Sequence, residues 1–243
     1  MSIKKHIPNF ITLLNLLSGV ISIVFFAQDQ LTMAAYMIFL AAVFDFLDGF
    51  SARMLKAYSP LGAQLDSLAD VVSFGVAPSL ILFALISKSH GLPALLWNDQ
   101  NLLPFLALIV PLFAALRLAK FNIDDRQTES FIGLPSPASG LLLASLPLVR
   151  EQLYEQQSLF YMVVTNTYFY IGMGLIMSVL MISELPLFGL KFKSFALKGN
   201  EVRYFFLLAS IILIVTLQFV AIPFIILLYL LLSLIVFLAD IQS

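Results

Sequence analysis

Apolar runs long enough to cross a bilayer recur along the whole of this chain, separated by short polar or proline-bearing breaks. A helix rises about 1.5 Å per residue, so about twenty apolar residues cover the hydrocarbon core. In that core every backbone donor and acceptor needs an internal partner, which a helix supplies within its own segment. The chain is therefore expected to be an all-α polytopic membrane protein. Composition carries the same consequence: 61% of its 243 residues are hydrophobic, 11% are charged, and the mean hydropathy is +1.01. A soluble domain carries about 25% charged residues, so this chain has too little polar surface to face water on all sides. Cysteine is absent, which removes disulfide frameworks and thiolate metal sites together. The net charge of −1 gives no pointer to nucleic acid.

Eight helices are expected, near residues 8–27, 31–56, 62–87, 102–121, 135–150, 167–186, 203–220 and 222–240. Breaks are marked by Gln28-Asp29-Gln30, Tyr58-Ser59-Pro60, Gly91 to Asn101, Asp124-Asp125-Arg126, Glu151 to Gln157, the basic stretch Lys191 to Asn200, and Pro223. Pro135, Pro137 and Pro147 crowd the fifth helix. The run from Phe10 to Ala27 follows Lys4, Lys5 and His6 as a signal peptide would follow its basic region. It is long, however, and ends in Phe25-Phe26-Ala27 with no small-x-small cleavage site, so it reads as a retained first helix.

With the N-terminus in the cytoplasm, that side receives Lys4, Lys5, Arg53, Lys56, Arg117, Lys120, Arg126, Lys191, Lys193, Lys198 and Arg203. These are eleven of the thirteen lysines and arginines; Lys88 and Arg150 fall opposite. The positive-inside rule then puts both termini in the cytoplasm. Trp97 reads as an interfacial anchor on the outer side, and the 23 phenylalanines as lipid-facing and core packing. His6 and His90 fall at the terminus and in a loop, away from any catalytic position.

Four aspartates interrupt this apolar background in a fixed frame: Asp45-x-x-Asp48-Gly49-x-x-Ala52-Arg53, then Gly62-x-x-x-Asp66-x-x-x-Asp70. A carboxylate at a membrane helix centre costs roughly 2.5–3.5 kcal/mol, so the group as a whole requires a function. Residues three, four, seven and eight apart share a helix face, which lines up each half of the frame. A short connection would set the two acidic stripes against each other near the inner membrane surface. Four carboxylates in one cleft repel unless protonated or neutralised, and an all-oxygen set suits Mg²⁺, Mn²⁺ or Ca²⁺. Four ligands suffice for a two-metal site that clamps a phosphate. Gly49, Ala52 and Gly62 leave room for a diphosphate, and Arg53 offers a planar cationic fork. Other readings share these residues: Arg53 snorkelling to headgroups, small residues packing helices, or acidic residues relaying cations or protons in a transporter.

The complete string resembles the signature of the CDP-alcohol phosphatidyltransferases at all eight of its fixed positions. Further segments resemble one subfamily, the CDP-diacylglycerol-serine O-phosphatidyltransferases. These are Pro8-Asn9-x-x-Thr12-x-x-Asn15, Ser73-Phe74-Gly75-Val76-Ala77-Pro78, Arg117-Leu118-Ala119-Lys120-Phe121-Asn122 and Phe131-x-Gly133-Leu134-Pro135-x-Pro137-Ala138. Lys120 stands where arginine is more usual, which keeps the charge. The resemblance implies a six-helix core plus two C-terminal helices, so that residues 1–186 form the catalytic part and 187–243 complete the same unit. It implies Mg²⁺ or Mn²⁺ held as a two-metal site by Asp45, Asp48, Asp66 and Asp70. The CDP moiety of CDP-diacylglycerol would be contacted by Gly49, Ala52, Arg53 and Gly62, with Asn9 and Thr12 helping the pocket.

The same resemblance makes Asp70 the general base, with Asp66 beside it, for attack of the L-serine hydroxyl on the β-phosphorus. CMP would leave and phosphatidylserine would form, in a homodimer of the inner cell membrane with its site facing the cytoplasm. Serine's carboxylate and ammonium call for charged partners; Arg117 and Lys120 suit the carboxylate, with Asn122 and Ser73 as neutral partners. Arg117 and Lys120 also satisfy positive-inside topology alone, and Ser73 also suits a bond to its own helix. The same chemistry with glycerol 3-phosphate or inositol, or a divalent-cation or proton transporter, are the alternatives.

Overall fold

The structure is a computed structural model and describes residues 6–89, 91–123, 131–156, 158–189, 196–197 and 199–239. Lys4, Lys5, His90, Asp124 to Arg126, Lys191, Lys193 and Lys198 lie outside the described residues. Eight long helices account for most of the described residues. They are α1 (His6–Ala27), α2 (Leu31–Leu55), α3 (Pro60–Ser87), α4 (Leu103–Ile123), α5 (Ser136–Leu153), α6 (Thr167–Ile182), α7 (Glu201–Leu217) and α8 (Ala221–Leu238). A short helix, Leu159–Val164, sits between α5 and α6, in a stretch for which the sequence reading assigns no element. Four two-residue strands form two tiny antiparallel pairs, one of which holds Trp97 at 66% exposure. The fold is all-α, and α1, α2, α3 and α4 are each long and apolar enough to span a bilayer.

Hydrogen bonds sort the helix ends onto two faces. Thr32 at the start of α2 donates to Glu151 near the end of α5, Lys88 pairs with Asp29, and the Ser89 and Thr167 hydroxyls meet at 2.6 Å. Gln152 clasps the turn between α7 and α8, donating to the Leu217 carbonyl and accepting from the Phe219 N–H. On the other face, Asn122 at the end of α4 bonds Ser67 near the start of α3. That is the alternation of ends expected of antiparallel rods.

The break between the last two helices falls at Gln218, with φ of 51° and ψ of −122°, rather than at Pro223. Proline is tolerated in the first turn of a helix because its missing N–H has no partner there, and Pro223 occupies that turn of α8. The sixth helix ends at Ile182 rather than 186, because Ser183 is extended and the chain turns to pair Pro186–Leu187 with Phe131–Ile132.

The core lies where α3 threads the bundle. The stretch Val71–Val76 is a π-helical turn, and its extra residue per turn re-phases the face after Asp70. Three neighbours close on this turn. A Cβ on Gly19 of α1 would collide with Ser73, one on Gly140 of α5 would lie 2.9 Å from Phe74 Cα, and one on Gly75 would meet Pro111 Cα of α4 at 3.3 Å. Small residues therefore let three backbones approach one segment, and Phe74 is fully buried between them. The C-terminal hairpin packs on the chain through Phe188, Phe206 and Tyr229, whose phenol donates to the Phe188 carbonyl.

Candidate active site

The acidic cleft owes its shape to the link between α2 and α3. Lys56 ends α2 in the left-handed conformation with its N–H on the Ala52 and Arg53 carbonyls. Ser59 then caps α3 by accepting from the Gly62 N–H at 3.0 Å, with Pro60 in the first turn. The two acidic stripes face each other through their side chains, with Asp66 of α3 beside Asp45 and Asp48 of α2. α1 packs against both, while α2 meets α3 mainly beyond Asp70. The expected pair of facing stripes is thus a three-helix cleft with α1 as its floor.

At the base of that cleft Asp45, Asp48 and Asp66 bring ligand oxygens within 4.8 Å of one another. Asp70 lies beside Asp45. α1 supplies the polar contacts. Thr12 Oγ sits 2.7 Å from Asp48 Oδ2 and 3.1 Å from the Pro8 carbonyl, so its one proton is shared. Asn15 donates to Asp70 Oδ1 at 3.3 Å. Asp66 Oδ1 and Asn15 Oδ1 are buried without a hydrogen-bond partner among the described residues. A buried carboxylate oxygen left bare among other carboxylates is the arrangement that a hard divalent cation satisfies, and the donor set is all oxygen. The residues present fit a metal.

Above the cluster is a groove of about 220 Å³ lined by residues of α1, α2, α3 and the link, among them Asn9, Thr12, Gly49, Ala52, Gly62 and Asp66. The five uncharged residues expected at a nucleotide are thereby brought together. Arg53 does not line the groove, but its Nη1 lies 3.7 Å from where a Gly49 Cβ would stand. A Cβ on Gly62 would come within 2.9 Å of Asn9 Oδ1, so only glycine leaves that side chain its place.

A second cavity, of about 370 Å³, is lined by Arg117, Lys120, Ile123, Ile132, Met181, Ile182, Ser183 and Glu184. Arg117 joins the two regions. It is buried, donates to Ser136 Oγ at 3.0 Å, lies over the Phe121 ring at 5.3 Å, and acts electrostatically on Asp70 and Asp45. Lys120 is exposed at the cavity's edge. Two residues expected at the same place lie elsewhere. Asn122 is engaged with Ser67. Ser73 is fully buried and donates to the Asn15 carbonyl of α1 at 3.1 Å, so it ties α3 to α1 instead of lining the cavity. A membrane hydroxyl next to a glycine contact bonds whichever carbonyl is nearest, here that of α1 and not of its own helix. Sequence reasoning passes over Ser136, the residue between two prolines, and over Glu184. Ser136 carries a signal in hindsight, as a polar residue held between two prolines at a helix start.

Comparison with known proteins agrees with this geometry. The family model described as CDP-alcohol phosphatidyltransferase matches residues 5–185. A CDP-diacylglycerol-serine O-phosphatidyltransferase of Helicobacter pylori strain J99 is 32% identical over 180 residues, covering 73% of this chain and 70% of that protein. The protein of the same name from Bacillus subtilis is 36% identical over 146 residues, 58% of this chain and 75% of its own length. That of Methanocaldococcus jannaschii is 40% identical over 144 residues, covering 58% and 61% respectively. With its aspartate frame gathered at one cleft of a multi-pass helical membrane protein, the chain belongs to the CDP-alcohol phosphatidyltransferase family.

Proposed function

We propose that this enzyme transfers the phosphatidyl group of CDP-diacylglycerol to the hydroxyl of L-serine, giving phosphatidylserine and CMP. The observation that carries the reading is the convergence of three carboxylates within 4.8 Å at a small-residue groove, with Arg117 of a second cavity acting on the same acidic group. The groove takes the cytidine diphosphate, with backbone approach allowed at Gly49, Ala52 and Gly62 and with Arg53 beside the phosphates. Asn9 and Thr12 close it from α1. Arg117 and Lys120 receive the serine carboxylate, and Ser136 with Phe121 keeps the Arg117 guanidinium in place. Two divalent ions, Mg²⁺ or Mn²⁺, held by Asp45, Asp48, Asp66 and Asp70 would offset charge on the phosphoryl oxygens and on the attacking and leaving oxygens.

Asp70, oriented by Asn15 and flanked by Asp66, accepts the proton of the serine hydroxyl as its oxygen bonds to the β-phosphorus. The bond from that phosphorus to the CMP oxygen breaks, and CMP departs with the electron pair. The names of the relatives support serine as the acceptor. The site opens to the cytoplasm of an inner cell membrane holding both termini, as the basic-residue asymmetry supports, and two copies associate. Residues 1–186 carry the chemistry, and 187–243 complete the same unit. CMP release by purified enzyme from CDP-diacylglycerol should require both L-serine and a divalent ion. Release with glycerol 3-phosphate or inositol but not serine would overturn the acceptor. Undiminished release after exhaustive chelation would overturn the metal site.

A further inference from the structure

The cavity beside the acidic cluster is not uniformly cationic: Glu184 lines it together with Arg117 and Lys120. Among the described residues, no salt bridge joins Glu184 to either cation. The opposite charges stand apart around about 370 Å³ of space. The position of Glu184 is fixed by backbone. Immediately before it, α6 ends in the extended Ser183, and the chain is clamped by the Gly133 N–H on the Leu185 carbonyl and the Leu134 N–H on the Leu180 carbonyl, each at 2.9 Å. Gly133 itself has φ of 74°, and a Cβ there would stand 2.7 Å from the Met181 carbonyl and 2.8 Å from that of Ser183. The carboxylate is thus carried on a pinned turn at the C-terminus of a sixteen-residue helix, where the carbonyl ends of the dipole also favour positive charge.

We infer that Glu184 is the residue that receives the ammonium of the acceptor alcohol. A zwitterion bearing a hydroxyl then spans the cavity, its carboxylate on Arg117 and Lys120 and its ammonium on Glu184. This inference rests on the serine-transfer reading above and deepens it. An acceptor with a phosphate or with hydroxyls alone would leave Glu184 unpaired or repelled, so this side chain supplies selectivity and takes no part in bond making. Discrimination arises because the ammonium gains a charged partner in Glu184 that a hydroxyl cannot match and a phosphate is repelled by.

The test uses the full-length enzyme with CDP-diacylglycerol, comparing L-serine with L-glycerate, which has the same configuration and a hydroxyl in place of the ammonium. Glu184→Gln keeps the shape and removes the charge. It should raise the serine KM about tenfold or more, while kcat stays within about threefold. The KM for CDP-diacylglycerol should not move, and the preference for serine over glycerate should narrow by a similar factor. Glu184→Asp should recover part of the serine affinity. An unchanged serine KM and unchanged discrimination in Glu184→Gln, with wild-type enzyme using serine, would overturn the role of Glu184 alone. Wild-type enzyme that releases no CMP with serine would instead overturn the reading on which it rests. A parallel rise in the KM for CDP-diacylglycerol would mark a distorted fold and count against the assignment.

Discussion

The acidic cleft and the mixed-charge cavity share Arg117 yet are built in opposite ways. The cleft takes its four carboxylates from a stretch of 26 residues, Asp45 to Asp70, on two helices joined by a short link. The cavity is assembled from the end of α4, the turn before α5 and the end of α6, segments up to 67 residues apart between Arg117 and Glu184. In the cleft, residue type and spacing decide the geometry, because helical periodicity alone puts the carboxylates on one face. In the cavity, backbone clamps decide it. Chemistry common to a family belongs in the first kind of construction, and choice of acceptor in the second.

The largest effect expected from this division is at Asp70. Asp70→Asn preserves volume but has no basic oxygen to take a proton, so kcat should fall by about 10²–10⁴-fold. The KM for serine should change far less than kcat, because Asp70 does not line the cavity and Arg117 keeps its contacts with Ser136 and Phe121, and thermal unfolding should stay near that of the wild type. A variant that kept full turnover would remove Asp70 as base and leave the division without its chemical half.

Next in size is Gly133→Ala, which strains a backbone at φ of 74° and drives a Cβ into the Met181 and Ser183 carbonyls. Such strain is worth about 1–3 kcal/mol, and relief can come only by moving the turn that carries Glu184. Serine KM should rise about tenfold or more if that strain appears as lost binding. The KM for CDP-diacylglycerol, set in a groove whose lining shares no residue with the cavity, should hold. Equal loss for both substrates would merge the two regions into one.

The two regions also differ in how much of each can be read from sequence. The eight rods are legible because apolar runs and polar breaks map directly onto helix ends, and the groove residues because glycine and aspartate keep helical register. The π turn at Val71–Val76 is not: nothing in Val-Val-Ser-Phe-Gly-Val differs from an ordinary helix until Gly19, Gly140 and Pro111 press on it from three helices. Ser73 illustrates the result. Spacing puts it one turn past Asp70 and into the pocket, whereas close packing buries it against α1. Glu184 is hidden for a different reason, since apolar continuity carries the sixth helix past the point where the strand pair stops it.

That packing gives a stability contrast on one chain. Gly140→Ala places a methyl 2.9 Å from the Phe74 backbone and should destabilise the fold by about 1–3 kcal/mol. Gly172→Ala, in α6, meets nothing within 4 Å and should leave the thermal midpoint unchanged or raised. Equal midpoints for the two variants would mean that the π turn is not held by close approach. Turnover in Gly140→Ala, measured well below its midpoint, should fall too, because the displaced turn begins at the residue after Asp70.

The smallest effect is expected at Ser136, where the two constructions meet. Its hydroxyl is fully buried and accepts from Arg117 Nη1 at 3.0 Å. Removing one hydrogen bond to a charged group would cost about 1.5–3 kcal/mol if nothing else held the guanidinium. Two other contacts do hold it: the Phe121 ring at 5.3 Å, and the attraction of Asp70 and Asp45. Ser136→Ala should therefore cost less, about 1 kcal/mol, seen as a rise of about fivefold in serine KM with kcat nearly constant. Arg117→Lys loses the planar fork as well as this bond and should raise the same KM further. If Ser136→Ala instead lowered kcat and left KM alone, Arg117 would be acting on the acidic cluster and not on the acceptor. The boundary between the two regions would then run on the other side of that side chain.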